Sequence, residues 1–452
     1  MENRRDFIKK MSAGSVAMAV GGVGLGLSAK SYGQVIGAND RVSVGIVGYS
    51  DRFRGSLLPC FAGNAKTLNF EFTALSDIWS RRRDEGKALV KERTGWDVTL
   101  YRNNEEMYEK NLIDAVIIST ADFQHAMHLT EAAKAKKHAY VEKPLGETMD
   151  DVNEAFDACK QNNIVVQIGS QRRIGANYHA AYDYIKSGKF GDIVMVEMCW
   201  NVNQPGRWRR VQLCEQIKKE DTDWARYLMN RPTVEWDPRK YLEFRLFWPY
   251  SSGIPGQWMA HQIDTVHWFS ELEYPRSVVA NGGIYMWKDG RTSFDTLTAV
   301  FDYGPDNDMT KGFQVVYTSR FSNSAGGTKE LYYSNGGMLN LDTNEITPTG
   351  GLNENNARAM GLSANQLERF TLPSGSVATE ADTGGDNLTS AHMRNWMTCV
   401  KASNVKTNCP VAAGHSHTIA CAMANAAART GLRVTYNPNT RQIMAGNQVF
   451  KY

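Results

Sequence analysis

His138-Ala139-Tyr140-Val141-Glu142-Lys143-Pro144-Leu145-Gly146-Glu147-Thr148 is the stretch from which the fold of this chain is read. Ala139 to Val141 is a short apolar run with the length and flanks of a buried strand. Lys143 therefore stands at a strand's carboxyl end, where Pro144, which has no backbone donor, turns the chain. In an open parallel sheet that edge faces the ligand crevice. A lone lysine is usually a surface residue, so the case for chemistry at Lys143 rests on what surrounds it.

Upstream, Arg41-Val-Ser-Val-Gly45-Ile-Val-Gly48 is a β-branched strand ending in glycine, and a helical stretch is expected from Ser56. A dinucleotide fold sets its glycine-rich turn at such a place, so that helix amides meet a pyrophosphate. The fingerprint is incomplete, because Ser50 stands where the second glycine of GxGxxG belongs and Gly55 comes about two residues late. Gly48, Ser50 and Arg54 are the candidate cofactor residues of this turn, although a plain strand-turn-helix fits the residues equally well. Phe70 to Asp77 reads as a second strand ending in an acid. Asp77 there accepts hydrogen bonds from ribose hydroxyls, which favours NAD over NADP. Arg81, Arg82 and Arg83 would serve a 2′-phosphate or form a solvated helix face. The alternation continues through Asp114 to Thr120, a helix holding His128 to Lys136, the lysine strand, a helix from Asp150 to Gln161, and Ile164 to Gly169. The pattern predicts a doubly wound α/β domain.

Ser119-Thr120 with His125, the Glu142-Lys143-Pro144 turn and the Gln171-Arg172-Arg173 run together resemble the Gfo/Idh/MocA family. These are NAD(P)-dependent oxidoreductases of the glucose-fructose oxidoreductase and inositol dehydrogenase type, and the resemblance spans roughly residues 40 to 450. It implies an NAD cofactor contacted by Ser119, Thr120, His125 and Glu142, with Lys143 beside the nicotinamide and the substrate hydroxyl. It also implies a substrate role for Arg172.

Beyond Arg173 the pattern changes to runs typical of an antiparallel sheet, among them Ile193 to Trp200, Ser277 to Tyr285, Thr296 to Asp302, Phe313 to Thr318 and Glu330 to Tyr333. The fold class expected is an α/β Rossmann dinucleotide-binding domain over residues 35–166, then an α+β domain over 167–452 with a large open, mainly antiparallel sheet. In the family such a sheet commonly mediates homo-oligomers. The aromatic insert Asp223 to Tyr250 offers faces for sugar rings or packs a small core of its own. Arg245 and Tyr250 are its candidates for substrate contact.

Gly256 to Trp268 holds His261 and Asp264 one helical turn apart, while His267 falls about 120° away, so no three-ligand metal site is expected. The segment resembles the family's catalytic helix, where an aspartate precedes the histidine by four positions. Gln257 occupies that position here. An amide does not accept a proton at neutral pH, but it hydrogen-bonds a hydroxyl. Lys143 and His261 are the catalytic candidates, with Gln257 and Asp264 on the substrate. The closing segments, His392 to Trp396 and Pro410 to Thr430, resemble helices that pack back on the sheet, and His415 and His417 are weaker candidates for the site.

A formal charge of +3 on 452 residues, with the basic residues dispersed, leaves no footprint for nucleic acid. Seven widely spaced cysteines without a CxxC pair point to buried free thiols. Arg4-Arg5, followed by the Gly- and Ala-rich Met11 to Leu27, looks like a twin-arginine export signal over residues 1–34, predicting a periplasmic product with no stable membrane insertion. The function expected is an NAD-dependent oxidoreductase acting on a hydroxyl of a sugar, sugar alcohol or glycoside. The alternatives are a redox-neutral glycosidase or lyase that retains its NAD, and a non-catalytic sugar-binding protein. Replacing Arg4 and Arg5 together by lysine is expected to leave precursor in the cytoplasm. An unchanged periplasmic yield on fractionation would remove the export reading.

Overall fold

In the computed structural model, residues 40–110, 113–373 and 386–451 are described. The segment read as an export signal lies outside the described residues. Two sheets organise the rest.

The first sheet holds β1 (Val42–Val47), β2 (Phe70–Ser76), β3 (Thr99–Tyr101), β4 (Ala115–Ile118), β5 (His138–Val141) and β6 (Val166–Ile168). Its order is β3-β2-β1-β4-β5-β6, with every pair parallel. β4 and β5 are buried almost throughout, as strands covered by helices on both faces must be. Strand order reverses between β1 and β4, which opens a crevice at their carboxyl ends.

The second sheet has 11 strands in the order β14-β13-β12-β11-β7-β10-β9-β8-β15-β16-β17. They are β7 (Ile193–Asn201), β8 (Ser277–Gly283), β9 (Thr296–Tyr303), β10 (Phe313–Arg320), β11 (Thr328–Ser334), β12 (Gly337–Asn340), β13 (Glu345–Thr347), β14 (Phe370–Thr371), β15 (Val434–Asn437), β16 (Gln442–Ala445) and β17 (Gln448–Val449). All neighbours are antiparallel except β7 and β10, so the expected mainly antiparallel sheet is mixed at its centre. One face is covered. Leu297, Ala299, Phe301 and Tyr303 of β9 are buried while Thr298 between them is exposed, the period-two pattern of a one-sided sheet.

The covering layer is the helix Ala260–Ser270 with the helix Val411–Thr430, whose buried residues share one core with the large sheet. Small residues let the second helix come close: a side chain at Gly414 would meet Ile168 Cγ1 at 2.8 Å. The two C-terminal helices divide their work in a way the sequence did not announce. Asn387–Lys401 covers the nucleotide-side sheet instead, placing Met393, Trp396 and Met397 in one cluster with Phe61, Phe72 and Ile117. Fully buried Trp396 meets the Phe70 ring at 6.3 Å and the Tyr140 ring at 5.9 Å.

Six of the seven cysteines are buried, and all seven are free thiols. Among the described residues no helix is long and apolar enough to cross a membrane. Trp396→Ala is expected to cost about 3 to 5 kcal/mol, the usual range for emptying a large aromatic site in a core. A denaturant midpoint within experimental error of the parent protein would show that this helix does not anchor the first domain.

Candidate active site

The turn after β1 explains the incomplete glycine pattern. Gly48 has a φ of +83°, and a Cβ there would lie 2.6 Å from Thr120 Cγ2, so this glycine is required. The helix starts at Asp51 rather than at Ser56. Ser50 replaces a glycine because its Oγ accepts the Phe53 N–H at 3.1 Å, which satisfies a free amide of the first turn. The chain then makes a π turn over Phe53–Leu57 that absorbs the extra length, and Gly55 lies exposed on it, away from the crevice.

A cleft of about 550 Å³ opens over this turn, lined by Gly48, Ser50, Asp77, Ser119 and Thr120 among others. Asp77 is fixed by its own turn: Oδ2 accepts the Tyr49 N–H and Oδ1 the Trp79 N–H, both at 2.9 Å. Burial raises its pKa, with those two amides opposing the rise. A carboxylate has about four acceptor sites, so two remain for ribose hydroxyls. Of the three arginines, only Arg82 lines the cleft, with its guanidinium over the Trp79 ring and beside Glu85. The residue types, the closely approached glycine and the helix start fit a dinucleotide. Arg54 does not join them. It is exposed and pairs with Asp51 at 2.9 Å, because the helix turns it outward; Arg52 lines the cleft instead and bonds Glu142 at 2.9 Å.

A second cavity of about 230 Å³ adjoins the cleft, sharing Ser50, Arg52, Ser119, Thr120 and Arg245 with it. Its walls bring together His125, Glu142, Lys143, Gln257 and His261, from both halves of the chain. The Lys143 Nζ donates to the Gln257 carbonyl oxygen at 2.7 Å. Burial pushes its pKa down to about 8, aided by Arg245 and Arg52 and opposed by Asp122 and Glu142. Burial, with the positive charges of Lys143 and Arg172, holds His261 well below the usual histidine range, so its ring is neutral. His125 is an anchor: its Nδ1 lies 2.7 Å from the Pro144 carbonyl and locks the lysine turn.

Gln257 is already engaged by neighbours. Its Nε2 donates to Asp122 Oδ2 at 2.6 Å, and its Oε1 accepts from Arg245 Nε at 2.9 Å. Asp122 is fully buried, also accepts from Ser251 Oγ at 2.6 Å, and lies 3.8 Å from Arg245. The acid that the family resemblance asks for at position 257 would face this carboxylate, which accounts for the amide. Sequence reading missed Asp122, although it stands one turn beyond the end of β4, where strand-end residues reach the crevice.

Three expected substrate residues do not line either cavity. Asp264 is fully buried and takes a bidentate pair from Arg173 at 2.7 and 3.0 Å, with His417 Nδ1 at 3.2 Å. Its side chain tracks the covering layer, one turn past His261. Arg172 pairs with Glu330 and lies over the Tyr178 and Trp200 rings, behind the wall. Tyr250 is buried against Phe123 and Tyr227 in the core shared with the large sheet, so the insert packs into the main body and not around a small core of its own. The insert does line the large cleft through Tyr227, Tyr241 and Phe244. His415 bonds Asn153 at 2.9 Å and is likewise structural.

Residues 42–170 match the model of the Gfo/Idh/MocA family, described as an oxidoreductase family with an NAD-binding Rossmann fold. The chain is similar to myo-inositol 2-dehydrogenase of Thermotoga maritima, 25% identical over 166 residues, which are 36% of this chain and 48% of that protein. It is also similar to 1,5-anhydro-D-fructose reductase of Ensifer adhaerens, 27% identical over 142 residues, covering 29% and 42%. The matches thus span less than half the length of these curated relatives. Among solved structures, levoglucosan dehydrogenase in complex with NADH and levoglucosan superposes with a TM-score of 0.62 at 14% identity, over 88% of this chain and 99% of that one. The likeness extends the shared fold across both sheets.

Gln257→Glu tests the engaged amide. It sets a second carboxyl against Asp122, and two such groups at hydrogen-bond distance do not both ionise, so one pKa rises. A carboxyl whose folded pKa is raised loses stability as pH climbs above its unfolded value near 4.3. The variant is therefore expected to melt below the parent by a margin that widens from pH 5 to pH 8, reaching about 1 to 3 kcal/mol. A margin independent of pH would contradict the contact.

Proposed function

We propose that this chain is an NAD-dependent oxidoreductase of the Gfo/Idh/MocA type, acting on a hydroxyl of a sugar, sugar alcohol or glycoside. The observation that carries the reading is the position of Lys143: a half-buried lysine whose amine is pushed down to about 8 by desolvation, in a small cavity that shares five lining residues with the large cleft at the glycine turn. NAD bound in that cleft supplies a hydride acceptor for a carbinol carbon. Gly48, Ser50 and Asp77 hold it at the pyrophosphate turn and the ribose.

Lys143 takes the hydroxyl proton. One of its N–H bonds is spent on the Gln257 carbonyl, which aims the rest of the amine into the cavity. His261 orients the hydroxyl. Its neutral ring offers one donor and one acceptor, but with Gln257 before it and Asp264 committed to Arg173 it has, among the described residues, no acid to raise its basicity. The division of labour therefore differs from a His-Asp couple: the lysine moves the proton and the histidine positions.

The paired arginines at Arg4-Arg5 support export of the folded protein by the twin-arginine route to the periplasm, and a retained cofactor suits that location. The uncovered face of the large sheet supports a homo-oligomer. Val279, Val300 and Val316 stand side by side across β8, β9 and β10 on that face, none of them buried.

Lys143→Ala is expected to lower turnover by about 10² to 10⁴ while NAD binding persists, the range for a proton-transfer residue. In the parent, oxidation rate should rise with pH through about 8 and level above it, because the deprotonated amine is the base. NADH absorbance reads both, and native mass spectrometry reads bound NAD and assembly together. Full activity in Lys143→Ala would overturn the mechanism. Product release without net NADH would mean the redox-neutral alternative.

A further inference from the structure

The mouth of the small cavity carries a concentration of guanidinium groups that the proposed hydride chemistry does not use. Beside it lies a third hollow, lined by Arg52, Gln204, Gly206, Arg207, Trp208, Arg210, Arg245 and Gln257. Four of these side chains are arginines and none is a carboxylate. Three of the four already have acid partners: Arg52 meets Glu142 at 2.9 Å, Arg210 meets Asp51 at 2.9 Å, and Arg245 lies 3.8 Å from Asp122.

Arg207 is different. Its guanidinium lies over the Trp258 ring at 4.8 Å and donates only to Gln204 Oε1, at 2.7 Å. It has no carboxylate within ion-pair distance among the described residues. Its surroundings lower its pKa, first by partial burial of the guanidinium and then through the like charges of Arg245 and Arg210. It also borders the two substrate-side hollows and not the large cleft, so a cofactor pyrophosphate at the Gly48 turn does not account for it.

Gln257 bears on the same balance. An acid at this position would have offset a positive charge; the amide leaves the wall cationic. Trp200 and Trp258 complete the wall with aromatic faces suited to the CH patches of a ring. A planar guanidinium binds carboxylate, sulfate and phosphate oxygens through paired N–H bonds, and stacking on an aromatic ring holds it in place for that.

We propose that the substrate is an anionic sugar, a cyclic polyol carrying a carboxylate, sulfate or phosphate group, with Arg207 as the residue that binds the anion. The proposal rests on the dehydrogenase reading for the reaction, but its binding half does not. The ring packs on the tryptophan wall with its reacting hydroxyl toward Lys143, and the oxoanion reaches outward to Arg207, with Arg245 alongside.

The test uses the full-length protein loaded with NAD, and four probes: glucose, glucuronate, glucose 6-sulfate and glucose 6-phosphate. Calorimetry is expected to show at least one anionic probe binding ten-fold or more tighter than glucose, with affinity falling as salt rises. The three anionic arms decide which oxoanion is preferred. Arg207→Gln should abolish that preference and leave glucose binding unchanged, while Arg207→Lys should restore part of it. Because Arg207 lies at an exposed rim, its variants are expected to melt with the parent. Equal binding of glucose and all three anions by the parent would overturn the proposal, as would a preference unaltered in Arg207→Gln. The reaction is scored separately by NADH formation: anion-selective binding without any hydride transfer keeps the anion site and removes the dehydrogenase, whereas turnover of neutral sugars alone keeps the dehydrogenase and removes the anion site.

Discussion

The Lys143 Nζ bonded to the Gln257 carbonyl at 2.7 Å is the contact through which the two halves of the chain make one site. The lysine comes from the end of β5 and the carbonyl from the turn leading into the helix Ala260–Ser270. Neither half alone encloses the amine. Enclosure lowers its pKa, because a protonated amine out of water loses solvation that one carbonyl and two carboxylates do not wholly replace. The packing that sustains this is substantial: helices from the far end of the sequence cover both sheets, so that the small cavity is set between two firm cores.

Behind the visible site lies a layer of buried charge that holds it in register. Asp264 ties Arg173, at the exit of the first sheet, to His417 on the covering helix, and its carboxyl is held far below the ordinary range chiefly by Arg173 against the cost of burial. Glu147 is treated in the opposite way. It is buried four residues after Lys143, and burial with the nearby Asp122 raises its pKa well above the usual carboxylate range, against the Ser252 hydrogen bonds and the charge of Arg231. Two buried acids near one site are thus shifted in opposite directions, Asp264 by its bidentate arginine and Glu147 by burial beside another carboxylate.

Much of this was legible in the sequence because the signals are periodic or local. The parallel sheet followed from alternating buried strands and helices, Lys143 and Asp77 from standing at strand ends, and Ser119 and Thr120 from the family resemblance. What was not legible depends on side-chain direction across long separations. Asp264 shares a helical face with His261 by spacing, yet one turn of helix carries it from the cavity to Arg173. Arg54 and Arg52 are two positions apart, and only the start of the helix, set earlier by Ser50 as its cap and stretched by a π turn, decides which of them faces the cleft. Arg207 carried no motif at all, since its significance lies in the absence of an acid near it.

The stretch from Arg207 through the end of the aromatic insert at Tyr250 is held at two depths. It forms a wall of the large cleft and is fastened to the first domain by partly exposed ion pairs, Arg226 with Glu105, Arg102 with Asp223 and Arg210 with Asp51. Each such pair contributes only about 0 to 1 kcal/mol, and salt screens it. Beneath them the buried Arg231–Asp151 pair, at 3.0 Å, and the Phe123–Tyr227 ring contact join the same wall to the same domain out of reach of salt. Ionic strength therefore acts on the rim of the wall and spares its buried root.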